Sequence, residues 1–354
     1  MATTGPQGGA AAIITVAAAL MAVQPTQATK HAIKATGFTK ACGLSRGLKQ
    51  LRSHAQKQIS DLDQLRTEAT QIKEDLLAIL HMKGAAAPPQ LEETILHVDA
   101  KIKKSQGDLT QYSKRAANAT AAGAYAAGRI DELVIVFFQA ANTGSTKFCI
   151  ADDTTDTNAA HHAKLAGCLK SATATLLITE VTETAKPNLK HLMQQINDIN
   201  GNQADAAGNL CKLTDTSSAN GGYNDGVNTN SDVKWADGLI KFSSAGTINP
   251  GWEKVSTTGS GVPALTMAAS AADELGDSPS SVTGDLKAIA KLAQEKDNDI
   301  EDIAVDKVEI GLALEAGEHK LLKANLKAIR KALHNYRSTL FKEKTKSKKG
   351  QQQR

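Results

Sequence analysis

Four cysteines carry the most definite chemistry in this chain. They are Cys42, Cys149, Cys168 and Cys211, and their spacings of 107, 19 and 43 residues contain no double pair of the kind a structural zinc site needs. An even number of thiols in an exported chain reads as two disulfide bridges, and spacing alone leaves all three pairings open. Gly276-Asp-Ser278 has a nucleophile's residue types. It reads as a turn ahead of Pro279, because no Gly-x-Ser-x-Gly elbow, base or oxyanion hole accompanies it. His161 and His162 are adjacent, whereas a helical metal pair stands four residues apart. No phosphate-binding glycine loop or dinucleotide fingerprint occurs. The expectation is no catalytic set, no cofactor and no metal. Asn118-Ala-Thr120 is the one usable glycosylation sequon, which makes Asn118 the modification site expected on export.

The charge balance is local. The formal net charge is +4, but residues 342–354 alone contribute +5, so the rest of the chain sums to −1. Nothing in that balance points to nucleic acid. The basic end, 342–354, reads as a disordered tail. Residues 1–28 hold no charged side chain, and Ala10 to Val23 form an apolar run followed by Pro25 and the small-residue site Thr26-Gln27-Ala28. That is the pattern of a secretory signal peptide, too short to span a bilayer comfortably. No apolar tail of the lipid-anchor type is visible.

The elements that must position these residues are helical. An aromatic content of 3% disfavours a β-sandwich, whose inner faces need aromatic and β-branched filling. Stepping by four and three from Leu44 meets Leu48, Leu51, Ala55, Gln58, Leu62, Leu65, Ala69, Ile72, Leu76 and Ile79. Charged residues such as Lys49, Arg52 and Glu68 fill the gaps, as on a coiled-coil helix. Gly84 through Pro88 and Pro89 breaks the run. A second seam follows from Leu91 through Ile95, Val98, Tyr112, Ala116, Gly123, Ile130 and Leu133 to Phe137. The short connection predicts antiparallel neighbours. Between Ala116 and Ala127 the seam turns to Ala and Gly, which predicts close backbone packing. Residues 143–279 lose the periodicity, keep short apolar runs such as Leu176–Thr179, and read as loops, short strands and a few helices held by disulfides, one of the helices over 190–199. A helical pattern returns near Leu286 and strengthens over Leu322, Leu326, Ile329, Leu333, Tyr336 and Leu340.

Several stretches, in this order, resemble the A-type N-terminal domain of trypanosome variant surface glycoproteins. They are Ala41-Cys-Gly-Leu-Ser45, Ala127-Gly-Arg-Ile-Asp-Glu132 ahead of Cys149, Ala207-Gly-Asn-Leu-Cys211, and Leu333-His-Asn-Tyr336. The resemblance covers about 29–341 and implies a mainly α fold: a long antiparallel helical hairpin with a disulfide-braced head of loops and short strands, and further C-terminal helices. It also implies the pairings Cys42 with Cys168 and Cys149 with Cys211. The role it implies is a cell-surface coat that shields the cell sterically, varies antigenically, meets host antibodies and pairs as a homodimer.

Cys42-Gly-Leu-Ser45, Ala126-Ala-Gly-Arg129, Phe137-Phe-Gln-Ala-Ala141 and Phe148-Cys-Ile150 are also similar to the related trypanosome transferrin receptor subunits. That alternative implies a GPI-anchored partner subunit and host transferrin as ligand. Head-loop residues such as Asn220-Gly-Gly-Tyr223 are then candidates for either epitope or ligand contact.

Overall fold

The computed structural model describes residues 32–352, apart from 142–146, 153–157, 172–180, 200–210, 216–222, 224–232, 243–250, 257–260, 295–299, 308–309 and 312–317. Its frame is a pair of helices, α1 (Ala35–Lys83) and α2 (Leu91–Gln139), each 49 residues long. At 1.5 Å per residue each extends roughly 74 Å. The heptad steps land on the buried face. Leu44, Leu48, Leu51, Leu62, Ile72, Leu76 and Ile79 are buried in α1, and Leu91, Val98, Tyr112, Ala119, Ile130 and Phe137 in α2. Gln58 and Leu65 are half-buried, at the margin of the seam.

The hairpin turn explains its own position. Gly84 ends α1 with a positive φ of 48° and donates its N–H to the carbonyl of Leu80. Gln90, also left-handed, precedes α2, and Glu92 and Glu93 place negative charge in the first turn, where the helix dipole favours it. The Gln90 side chain then ties the turn to the far end of the sequence. Its Oε1 accepts from the Leu322 N–H and the Asn325 amide, and its Nε2 donates to the carbonyl of Lys320.

In the stretch of Ala and Gly the helices meet closely. A Cβ on Gly123 would stand 2.9 Å from the carbonyl oxygen of Leu48 and 3.0 Å from Leu51 Cδ1. Ala55, Tyr112, Ala116, Ala119 and Leu275 form a small cluster just beyond this point.

Around this frame the rest divides between the two ends. At the turn end lie α5 (Thr283–Ala290), the hairpin of β6 (Ile303–Asp306) with β7 (Glu318–Leu321), and α6 (Lys323–Gln352). Leu286, Ile289, Leu321, Leu326, Ile329 and Leu333 share a core there with Leu62, Ile72, Leu76, Leu91 and Val98. Two details differ from the sequence pattern. Leu321, not Leu322, fills the core where strand gives way to helix, and Leu322 is 48% exposed. α6 also continues through the basic stretch to Gln352, where an unstructured tail was expected.

The opposite end is the head. β1 (Ile33–Lys34) pairs in parallel with β2 (Ile150–Ala151), with Ile33 opposite Ile150. A three-stranded antiparallel sheet, β3 (Val233–Trp235), β4 (Ile240–Phe242) and β5 (Gly251–Trp252), lies in the order 3-4-5. α3 (Leu189–Asn197) is the expected short helix, and α4 (Pro263–Leu275) packs along α2. The run Leu176–Thr179 lies outside the described residues.

Candidate functional site

The head is built on two covalent links and one buried polar cluster. Cys42 on α1 is bonded to Cys168, and Cys149 to Cys211, with Cα separations of 5.0 and 4.6 Å. Gly167, at φ 105°, lies against the carbonyl of Cys42, where a side chain would collide with backbone. One turn further along α1, Ser45 Oγ donates to Asp131 Oδ1 at 2.7 Å. Lys49 Nζ stands 2.6 Å from Asp131 Oδ2 and also donates to the carbonyl of Gly167 at 2.9 Å. Burial raises the Asp131 pKa and lowers that of Lys49, while their attraction opposes both shifts. A buried pair of this kind adds little net stability, but losing one partner is costly. It links α1 to α2 in the register the structure adopts.

Aromatic rings close the end of the hairpin. Phe38 and Phe137 meet at a centroid distance of 5.7 Å, Trp252 stands edge-on to Phe38 at 5.4 Å, and Trp235 edge-on to Phe137 at 5.4 Å. Asn197 mimics a strand neighbour for Val255, donating to its carbonyl at 2.9 Å and accepting its N–H at 2.7 Å. Residues 181–187 run as a strap along α1. Ser53 Oγ donates to the carbonyl of Val181 at 2.6 Å and Gln50 Nε2 to that of Ala185 at 2.8 Å. His54 Nδ1 bonds the carbonyl of Thr184 at 3.0 Å, and Arg46 pairs with Glu183.

The residues considered for chemistry fall into structural duties. His161 Nδ1 accepts the N–H of Ala163 at 3.3 Å and caps the short 3-10 turn His162–Leu165. Ser278 Oγ donates to the carbonyl of Ser280 at 2.9 Å, inside a turn. Among the described residues no group of three His, Cys, Asp or Glu side chains is placed to hold a metal ion. Also among them, no helix is long and apolar enough to cross a membrane. Asn118 lies on the exposed face of α2, away from the seam at Ala119. Asn220 to Gly222 lie outside the described residues, and Tyr223 is 57% exposed, its ring 5.7 Å from Trp235.

What the sequence reading missed is the role of Lys49. The heptad pattern places it among the charged residues between seam positions, yet its side chain is 8% exposed. No local signal marks it, because its partner Asp131 is supplied by α2. α4 is one of the few helices expected in this region, but its place is not assigned from the sequence, though Pro263 at its first turn and Gly276 just past its end bracket it.

The profile of the family described as trypanosome variant surface glycoprotein (A-type) matches residues 13–350. A search of curated proteins gives no match. Among solved structures the fold is similar to that of MITat 1.1, at 15% identity over 91% of this chain and 100% of that one, with a TM-score of 0.50. The two segments that Ser45 and Asp131 bring together are two of the four stretches that carry the sequence resemblance, and the family match spans both. The chain belongs to the A-type trypanosome variant surface glycoproteins, a family of structural surface proteins.

Proposed function

We propose that this chain is a surface coat antigen. It stands on the external side of the plasma membrane, pairs as a homodimer and shields what lies beneath it from host antibodies, with the head loops as the varying face. The observation that carries this reading is the family membership. The geometry suits the role: a rigid spacer roughly 74 Å long holds a cross-linked platform away from its other end. The shield acts by excluded volume and needs no reacting group. In the same reading residues 1–28 are removed on export and Asn118 carries an N-linked glycan.

The test is secretion of the full chain from eukaryotic cells, its mass in solution by light scattering, and passage of host serum over the immobilised product. A dimer that retains antibody from immune serum and nothing specific from naive serum supports the coat. Specific retention of transferrin, or of another single serum protein, overturns it in favour of a nutrient-receptor subunit.

A further inference from the structure

Beside the sequon, α2 and α4 line an open groove of about 520 Å³. Its α2 wall carries Asn118 and Ala121, and its α4 wall carries Met267, Ser270, Ala271 and Glu274. The α4 positions follow one helical face at intervals of three and four. Met267 is 50% exposed although it is one of the larger apolar side chains of the head half. The carbonyl of Glu274 accepts from Arg115 of α2 at 3.2 Å, which ties the two walls together at that end. The groove therefore has an apolar floor of methyl and thioether groups and a rim with a hydroxyl and a carboxylate. That combination suits a pyranose ring, whose C–H face packs on apolar groups while its hydroxyls bond polar ones.

We propose that the N-linked glycan of Asn118 folds back into this groove, its core N-acetylglucosamine covering Met267 and Ala271. The proposal rests on the reading that Asn118 is glycosylated. The occupant is singled out by attachment: the acceptor amide itself lines the groove, so the first sugar is delivered to it at high effective concentration. Transfer takes place on the extended nascent chain, and the later formation of α2 brings the sugar alongside α4. The glycan then seals an apolar seam on the side of the rod and stiffens the contact between α2 and α4.

The experiment is peroxide oxidation of the secreted full chain, read by peptide mass spectrometry, with Met82 as internal reference because it is 64% exposed at the opposite end. Three samples are compared: native, enzymatically deglycosylated, and Asn118→Gln. The expected result is Met267 oxidised several-fold more slowly than Met82 in the native sample, and at a comparable rate in the other two. Equal Met267 rates with and without an observed glycan overturn the groove assignment while leaving glycosylation intact. An unmodified Asn118 overturns the glycosylation reading itself. Protection of Met267 that persists in Asn118→Gln and fades on dilution overturns the proposal by assigning the groove to a second copy of the chain.

Discussion

Ser45 and Asp131 are 86 residues apart in sequence and 2.7 Å apart in the structure, joining the first turns of α1 to the last turns of α2. Lys49 completes the cluster from the same face of α1. The close approach of Gly123 to the Leu48 carbonyl already opposes a slide of one helix along the other, because a heptad shift would bring Ala116 or Ile130 to that contact. The buried Asp131 carboxylate, with Ser45 and Lys49 as its donors, adds a polar match in the same register.

Replacing Asp131 tests that view. Asp131→Asn keeps an acceptor for Ser45 but leaves the Lys49 ammonium buried without its counter-charge. The expected loss is ~3–5 kcal/mol in denaturant unfolding. Lys49→Met combined with Asp131→Asn should recover at least half of it. A double variant as unstable as the single one would show that the charge pairing is not what matters.

Gly123 makes a second case. Its missing side chain is what lets the Leu48 carbonyl approach α2. Gly123→Val should cost at least the ~1–3 kcal/mol typical of overpacking. Gly107 lies on the same helix with open space around it, so Gly107→Ala should stabilise by ~0.5–1 kcal/mol. Opposite signs for the two changes are the expected outcome of thermal melts, and a shared sign would contradict the packing described.

Tyr112 offers a pH-dependent prediction. It is fully buried, its hydroxyl has no hydrogen-bond partner among the described residues, and burial pushes its pKa up to about 12. The unfolded tyrosine ionises near pH 10. Between those values the unfolded chain releases the proton and the folded one keeps it, so this contribution is complete below pH 10 and is lost as pH rises toward 12. Tyr112→Phe removes the orphaned hydroxyl and should raise stability at neutral pH by ~1 kcal/mol. It should also flatten the alkaline decline, measured as denaturant midpoints from pH 9 to 12. An unchanged slope would mean that the hydroxyl is solvated in the folded protein.

The covalent frame is checked by non-reducing peptide mapping, which should find Cys42 joined to Cys168 and Cys149 to Cys211. A peptide joining Cys149 to Cys168 would contradict the head as described. Reducing the first link opens a loop of 126 residues, for which ~2–5 kcal/mol is the expected loss.

The parts of the fold legible in the sequence are those where one face repeats. Leu44 to Ile79 and Leu91 to Phe137 announce themselves because apolar residues, large ones over most of the length and Ala or Gly in the middle of α2, recur every three or four positions over 49-residue helices. α4 hides because its buried face is carried mainly by Ala264, Ala268, Ala269 and Ala272, which barely contrast with the Ser and Thr around them. The sheet hides for another reason. Its strands are two or three residues long, too short for alternation to register, and Trp235 and Trp252 find their places only against Phe137 and Phe38. Local pattern cannot reveal Lys49 either, because its partner is supplied by the other helix.

The bond pattern of Gln90 and the pairing of Ile33 with Ile150 together give the molecule a direction. The chain enters the described fold beside the head, at β1, and leaves it beside the hairpin turn, along α6. A fluorophore placed ahead of Ile33 and another placed on α6 beyond Tyr336 would sit roughly one hairpin length apart, about 74 Å. The protein is in that sense a ruler with an addressable mark at each end. Energy transfer between such a pair would report bending or shortening of the rod in single molecules.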